Sequence, residues 1–158
     1  MSQVTLPPFQ QLLDAHGRDV HRFLIATVGR TDADDCYQET WLSALRAYPR
    51  LREESNLRGW IFTIAHRKAI DLLRFRKRAA VPSVEPAETP VVDHRASFDH
   101  DVWASVRELP AKQRTALAMR FVADAAFAEI AAAMGTSEEA ARRNVHEGLK
   151  RLRKEHAE

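Results

Sequence analysis

The chain has 158 residues, of which 45% are hydrophobic, and a formal net charge of +2. This length allows one domain or two small ones, and the small net charge excludes a strongly basic binder. Abundant Ala, Leu, Arg and Glu favour helices over strands. The sequence has no apolar run long enough for a transmembrane helix, and its amino terminus lacks the apolar core of a signal peptide. We therefore predict an all-α protein without membrane insertion.

Cys36 is the only cysteine, so the chain cannot form an internal disulfide, as expected in the reducing cytoplasm. A lone cysteine in a helix is more often a core residue than a nucleophile. His94 and His100 lie among acids, but no group of residues has the spacing of metal ligands. The sequence therefore indicates no metal site, cofactor site or catalytic nucleophile, and it fits a cytoplasmic protein.

Two helices are predicted in the first part of the chain. The first runs from Phe9 to Val28 and ends at Gly29. The second begins with Thr31 or Asp32 as its cap. One face of this second helix is polar and carries a single exposed leucine. It comprises Asp35, Gln38, Glu39, Leu42 and Arg46. This face is either ordinary solvated surface or a docking face for a basic partner helix.

A long amphipathic helix follows Pro49, which stops the second helix. It runs from its N-cap Asn56 to Arg78 and has an apolar stripe at helical spacing. The stripe comprises Leu57, Ile61, Ile64, Ala65, Ala69 and Leu72. Between His66 and Arg78 lie six Lys or Arg residues and a single acid, Asp71. This basic face either binds nucleic-acid phosphates or is a solvated helix end that the helix dipole favours.

The next segment, residues 80–97, contains three prolines and no helical period, which predicts an extended linker. Between Ala80 and Asp101 the chain has five acids and one basic residue. This flexible acidic linker is either a plain tether or a segment that enters a basic channel of a partner. It divides the chain into two small helical domains, at residues 1–79 and 98–158.

The second domain ends in a helix-turn-helix pattern. Two helices precede the pattern, one ending near Leu109 and one starting with Pro110. The first helix of the pattern has Phe127, Ile130, Ala131 and Met134 on its buried face, and Gly135 makes the turn. The second helix begins at Ser137 and carries six Lys or Arg residues before position 155. An ordinary helical hairpin has the same spacing, but the serine cap and the early arginines favour DNA binding.

Together these segments resemble bacterial RNA polymerase sigma factors of the extracytoplasmic-function (ECF, group IV) class. The segment ADDCYQETWLSALRAY resembles the polymerase-binding part of region 2. The segment NLRGWIFTIAHRKAIDLLRFRKR resembles the part that melts and reads the −10 element. The segment ELPAKQRTALAMRFVADAAFAEIAAAMGTSEEAARRNVHEGLKRLRK resembles region 4, which reads the −35 element. Regions 1.1 and 3 have no room here, as expected for this class.

The resemblance implies a protein that binds core RNA polymerase and directs promoter-specific transcription initiation. Its partners would be the β′ clamp helices, the β flap and promoter DNA. An anti-sigma factor is a further candidate, because members of this class are usually held by one. The residues carried over for core polymerase binding are Asp34, Asp35, Gln38, Glu39 and Trp41. The acidic linker would thread toward the polymerase active centre.

The resemblance also implies two DNA-reading surfaces. The loop before the long helix would capture a flipped base, which costs about a few kcal/mol and needs a compensating pocket. The residues carried over for the −10 element are Arg52, Ser55, Asn56, Trp60, Arg67, Lys68, Arg74 and Arg76. Those for the −35 element, on a helix that would enter the major groove, are Ser137, Arg142, Arg143, Asn144, His146, Glu147 and Lys150.

Three positions depart from the pattern of the family. Arg67 replaces the Asn that often follows Ile-Ala-His, which favours a phosphate contact there. The triplet 139–141 is Glu-Ala-Ala where Gly-Thr-Val is common, and Glu147 stands where a basic residue is common. Because glutamate can accept a hydrogen bond from cytosine N4, we predict a −35 preference unlike the commonest one in the family.

Three other functions fit parts of the sequence. A stand-alone helix-turn-helix transcriptional regulator would leave the second helix and the acidic linker without a task. A helical nuclease would need a metal-ligand cluster or an activated nucleophile, and neither is evident. A module that only sequesters a partner would not need the recognition arginines.

Overall fold

A computed structural model describes residues 6–52, 56–79 and 97–156. Its first domain consists of α1 (Phe9–Val28), α2 (Arg30–Ala47), a short 3-10 turn (Tyr48–Arg50) and α3 (Leu57–Ala79). Its second domain consists of α4 (Ser97–Glu108), α5 (Ala111–Phe121), α6 (Phe127–Met134) and α7 (Glu138–His156). The all-α architecture with a helix-turn-helix domain is confirmed. The predicted linker lies outside the described residues, apart from Ser97, which begins α4.

Helices α1 and α2 are joined by a single residue, Gly29. Its φ of +87° lies in the left-handed region that favours glycine. The Gly29 N–H donates to Ile25 O at 3.0 Å, and the Gly29 carbonyl accepts from Ala33 N at 3.1 Å. Gly29 therefore ends α1, as predicted, but it also precedes α2 directly. The prediction that Thr31 or Asp32 caps α2 was wrong, because both residues already lie within its first turn.

The core of the first domain is rich in aromatic rings. Phe23 and Phe62 are almost completely buried, and their rings meet edge to face with centroids 5.6 Å apart. Phe9 contacts Trp41 and Tyr48 in the same manner, at 5.8 and 5.3 Å. Such aromatic pairs add to the stabilisation from burial alone. Phe62 is therefore a core residue.

Helix α3 buries the stripe that its sequence predicts. Ile61, Ala65 and Ala69 are buried, and Leu57, Ile64 and Leu72 pack partly buried against the same core. The predicted N-cap is confirmed, because the Gly59 N–H donates to Asn56 Oδ1 at 2.9 Å. With this stripe anchored, the basic residues of the second half of α3 remain at the surface.

The helix-turn-helix pattern is confirmed in α6 and α7. Gly135 makes the turn with φ +65°, and the Ala140 N–H donates to Ser137 Oγ at 3.1 Å, so Ser137 caps α7. Helix α7 then approaches α5 closely at Gly148, where a Cβ would lie 2.8 Å from Leu117 Cδ1. The sequence had suggested that Pro110 occupies the first turn of α5. Pro110 instead precedes the helix as its N-cap.

The two domains pack against each other, with α1 against α4 and α5 and with α3 against α6. The Arg58 guanidinium donates to the Ala123 carbonyl and, at 3.1 Å, to Asp19 Oδ2. Arg114 Nη1 donates to Thr27 O at 3.3 Å. None of the helices in the described part of the chain combines the length and apolar character that crossing a membrane requires.

Candidate functional site

The first candidate surface is the α2 acidic face, formed by Asp34, Asp35, Gln38, Glu39 and Leu42. All five side chains are exposed, and Leu42 is 46% exposed. Helical spacing places Asp35, Glu39 and Leu42 on one side of α2, while His21 Nε2 lies 2.8 Å from Asp34 Oδ1. An accessible leucine flanked by acids suits a partner helix that is basic and partly apolar.

Trp41 does not belong to this face. It is only 7% exposed, and its ring packs edge to face against Phe9 and, at 6.2 Å, against Tyr37. The sequence-based assignment of Trp41 to polymerase contact is therefore corrected, because this aromatic side chain fills the junction of α1 and α2. It supports the acidic face from within.

Cys36 lies buried beneath the same face. Burial raises the pKa of its thiol to about 11, and the nearby negative charges of Asp32, Asp35 and Glu39 act in the same direction. The thiolate is the reactive form, so Cys36 is a core residue, as its sequence context predicts.

We expect the Cys36 thiol to resist alkylation in the native protein at pH 7.5. At that pH a thiol with a pKa near 11 is thiolate in fewer than about one molecule in a thousand, and the side chain is 5% exposed. Mass spectrometry after a short maleimide pulse would measure this. Modification should be complete in denaturant. Modification of the native protein at the rate of a free thiol would contradict the buried placement.

The second candidate surface is the α3 basic face, formed by Arg67, Lys68, Arg74 and Arg76. The three arginines are exposed and Lys68 is half-buried. Arg76 pairs with Asp32 of α2, which fixes one end of the surface to the neighbouring helix. His66 lies beneath this face. Burial, followed by the charges of Arg67 and Arg74, lowers its pKa. The positive charge of the surface therefore comes from arginine and lysine.

Asn56 directly precedes α3 and makes two side-chain hydrogen bonds. Its Oδ1 caps α3, and its Nδ2 donates to Glu129 Oε2 in α6 at 3.3 Å. Arg52 is exposed, whereas Ser55 lies outside the described residues. Trp60 is half-buried, with its ring tilted against Tyr48 at 6.1 Å. The structure thus places Asn56 at the boundary between the two domains.

The third candidate surface is the α7 outer face, formed by Arg142, Arg143, His146, Glu147 and Lys150. All five side chains are exposed. The other two predicted −35 residues, Ser137 and Asn144, do not belong to this face. The hydroxyl of Ser137 is engaged in capping α7, and Asn144 is half-buried. The structure thus brings five of the seven predicted residues together on the exposed side of one helix.

Two members of the α7 outer face are held by neighbouring side chains. Arg142 Nη2 donates to Glu138 Oε1 at 2.8 Å, and its guanidinium carbon lies 5.0 Å from the centre of the Phe127 ring. On the other flank, Glu147 Oε2 accepts from Gln113 Nε2 at 3.5 Å. Both contacts orient side chains that the sequence alone left free.

The sequence does not mark two arginines that contact aromatic rings, Arg58 and Arg120. Arg58 bridges both domains and lies 5.0 Å from the centre of the Phe62 ring. Arg120 lies 4.4 Å from the centre of the Phe127 ring. The Arg58–Phe62 contact spans one turn of α3, whereas the Arg120–Phe127 contact joins α5 to α6. Arg58 also reaches Asp19 and Ala123, which lie outside α3, and no periodic signal in the sequence marks contacts between separate elements.

Comparison with known proteins agrees with this arrangement. The sigma-70 region 2 family model matches residues 12–79, and the sigma-70 region 4 family model matches residues 106–154. The RNA polymerase sigma factor CarQ of Myxococcus xanthus is 31% identical over 151 residues, covering 92% of this chain and 87% of CarQ. The RNA polymerase sigma factor SigV of Bacillus subtilis is 30% identical over 140 residues, covering 87% of this chain and 84% of SigV.

A solved structure has a similar fold. It is the sigma factor RpoE of Bartonella quintana in complex with the anti-sigma factor NepR. The TM-score is 0.75 at 22% sequence identity, and the match covers 92% of this chain and 94% of the RpoE chain. The two family models match one helical domain each, in the order that the sequence predicts. The chain therefore belongs to the sigma-70 family and is an RNA polymerase sigma factor of the extracytoplasmic-function class.

Proposed function

We propose that this sigma factor binds core RNA polymerase through the α2 acidic face and reads promoter DNA through the α3 basic face and the α7 outer face. One observation carries the proposal: two separate basic helical surfaces lie in one chain with an exposed acidic helical face. Phosphate contacts by Lys and Arg supply sequence-independent affinity, and base-edge contacts in the major groove supply specificity. The protein would act in the cytoplasm, without catalytic residues of its own.

The −10 surface would use Asn56, Arg67, Arg74 and Arg76. The arginines would hold phosphates of the separated strand while the buried stripe of α3 anchors the helix. Asn56 donates to Glu129 of α6 in the docked arrangement of the domains. A flipped base would take this amide only after the Asn56–Glu129 bond breaks, so we propose that the domains separate at this point on promoter binding.

We propose an anti-sigma factor as a further partner. The support is the fold shared with RpoE of Bartonella quintana, which was crystallised with the anti-sigma factor NepR. The acidic and basic surfaces described above are the ones such a partner would cover, because covering them would block both polymerase and DNA.

Run-off transcription with purified core RNA polymerase on a promoter library would test the proposed function. We expect transcripts from a subset of promoters that share a −35 and a −10 sequence. Core polymerase alone should give none of them. DNA binding by the isolated chain without co-migration with core polymerase in gel filtration would instead support a stand-alone regulator and contradict the proposal.

Glu147→Ala is expected to change the base preference of the −35 element. The Glu147 carboxylate is exposed on α7 and reaches Gln113, and a carboxylate can accept from cytosine N4. Loss of such a contact relaxes discrimination by about 1–3 kcal/mol at one base pair. Promoter selection from a library randomised at the −35 element would measure this. If Glu147→Ala left the selected sequence unchanged, Glu147 would not read a base.

A further inference from the structure

A cluster of four side chains stands beside the α7 outer face and is not explained by packing alone. We define the Phe127 cluster as Arg120, Phe127, Glu138 and Arg142. The guanidinium carbons of Arg120 and Arg142 lie 4.4 and 5.0 Å from the centre of the Phe127 ring. Two cations therefore share one aromatic ring, and both lie within the distance at which a ring attracts a cation.

The two arginines have different second partners. Arg120 is half-buried, and its Nη1 donates to the carbonyl of Ala125 at 3.0 Å, so it ties α5 to the loop that precedes α6. Arg142 is exposed, and its Nη2 donates to Glu138 at 2.8 Å. Arg120 thus anchors the ring, whereas the guanidinium of Arg142 is accessible to solvent.

Arg142 is held at two points that lie on different elements. Glu138 is one helical turn before it on α7, and such an exposed pair contributes little by itself. Phe127 is the first residue of α6, so its ring supports the guanidinium from outside α7. A free arginine side chain loses rotamer entropy when it is fixed. The ring reduces that loss, because the guanidinium is already confined before DNA arrives.

We propose that Phe127 is a positioning residue for promoter recognition: its ring holds the guanidinium of Arg142 in the orientation that reads the −35 element. This inference rests on the proposed role of α7 in −35 recognition. Phe127 touches no base itself and acts through Arg142. The ring is also partly buried against the core, so the test separates positioning from packing.

Phe127→Leu and Phe127→Tyr make that separation. Leucine keeps an apolar side chain but removes the aromatic face, whereas tyrosine keeps the face. With the reconstituted holoenzyme, we expect Phe127→Leu to reduce affinity for the selected −35 element about fivefold, as loss of a cation–π contact predicts. Affinity for DNA with a scrambled −35 element should change less than twofold. The Phe127→Tyr variant should keep the affinity and the base preference of the wild type.

A double-mutant cycle with Arg142→Ala links the effect to its target. Once Arg142 is absent, Phe127→Leu should cause no further loss of −35 preference, because coupled residues do not add. Phe121→Leu is the matched control. Phe121 is 57% exposed on α5, and within the described residues no guanidinium lies over its ring. This variant should bind the −35 element as the wild type does.

The outcomes separate the two levels of the proposal. If Arg142→Ala leaves −35 preference unchanged, the proposed role of Arg142 fails. If Arg142→Ala removes the preference but Phe127→Leu does not, or if Phe127→Leu weakens both DNAs equally, only the positioning role of Phe127 is overturned. Thermal unfolding of each variant, measured in parallel, identifies any loss that comes from destabilisation of the domain.

Discussion

Replacing Phe23 by alanine is expected to lower the free energy of unfolding by about 3–5 kcal/mol, the range for removing a buried aromatic side chain. Phe23 is 0% exposed, and its ring meets that of Phe62 edge to face. The variant therefore loses the burial of a large ring and one aromatic pair, and it leaves a cavity between α1 and α3. Because native proteins are stable by only about 5–15 kcal/mol, much of the first domain should unfold at mild denaturant concentrations. Urea titration followed by circular dichroism measures the change.

The matched control is Phe75→Ala on α3. Phe75 is 63% exposed, so truncation removes little burial and should change the free energy of unfolding by less than about 0.5 kcal/mol. Equal destabilisation by the two substitutions would show that Phe23 does not hold the core that the structure assigns to it.

Much of the fold follows from local signals in the sequence. Gly29 ends α1, Asn56 caps α3, and Ser137 caps α7, each through a backbone geometry or a hydrogen bond that depends on a few neighbouring residues. The apolar stripe of α3 likewise needs only its own period. Such features are predictable because their cause lies within one helical turn.

The cap of α2 and the place of Trp41 were not predictable in the same way. Gly29 serves both helices at once, so the acidic residues that follow it had no capping task. Trp41 borders the polar face in the helical period, and only its contacts with Phe9 and Tyr37 show that the ring is buried. Both outcomes depend on how α1 and α2 pack, which the period of α2 alone does not determine.

The candidate site likewise has features that the sequence predicts and features that depend on packing between helices. The sequence predicts which helices are basic, because charge is visible in the chain. It does not predict that Glu129 binds Asn56, which is 73 residues away, or that Arg120 and Arg142 meet at one ring. These contacts join separate elements, so the structure alone defines which cations are free to reach DNA and which are held.

Glu39→Lys on the α2 acidic face is expected to weaken binding to core RNA polymerase by about ten- to a hundredfold. Glu39 is exposed and lies on the same side of α2 as Asp35 and Leu42, so the substitution places a cation where we propose that a basic partner helix docks. Placing like charges together costs several kcal/mol at an interface, and about 1.4 kcal/mol is a factor of ten in affinity. Titration of labelled sigma factor with core polymerase measures the effect.

Asp14→Lys distinguishes an effect of the charge at position 39 from an effect of the net charge of the protein. Asp14 is an exposed acid on α1 of the same domain, so this variant changes the net charge by the same amount but leaves the α2 acidic face intact. Its affinity for core polymerase should stay within about twofold of the wild type, since a surface charge outside the docking face is screened by salt. Equal losses in both variants would mean that polymerase responds to overall charge and that α2 is not the docking helix. A loss confined to Glu39→Lys, with unchanged unfolding, would place the polymerase contact on the exposed side of α2, above the buried Trp41.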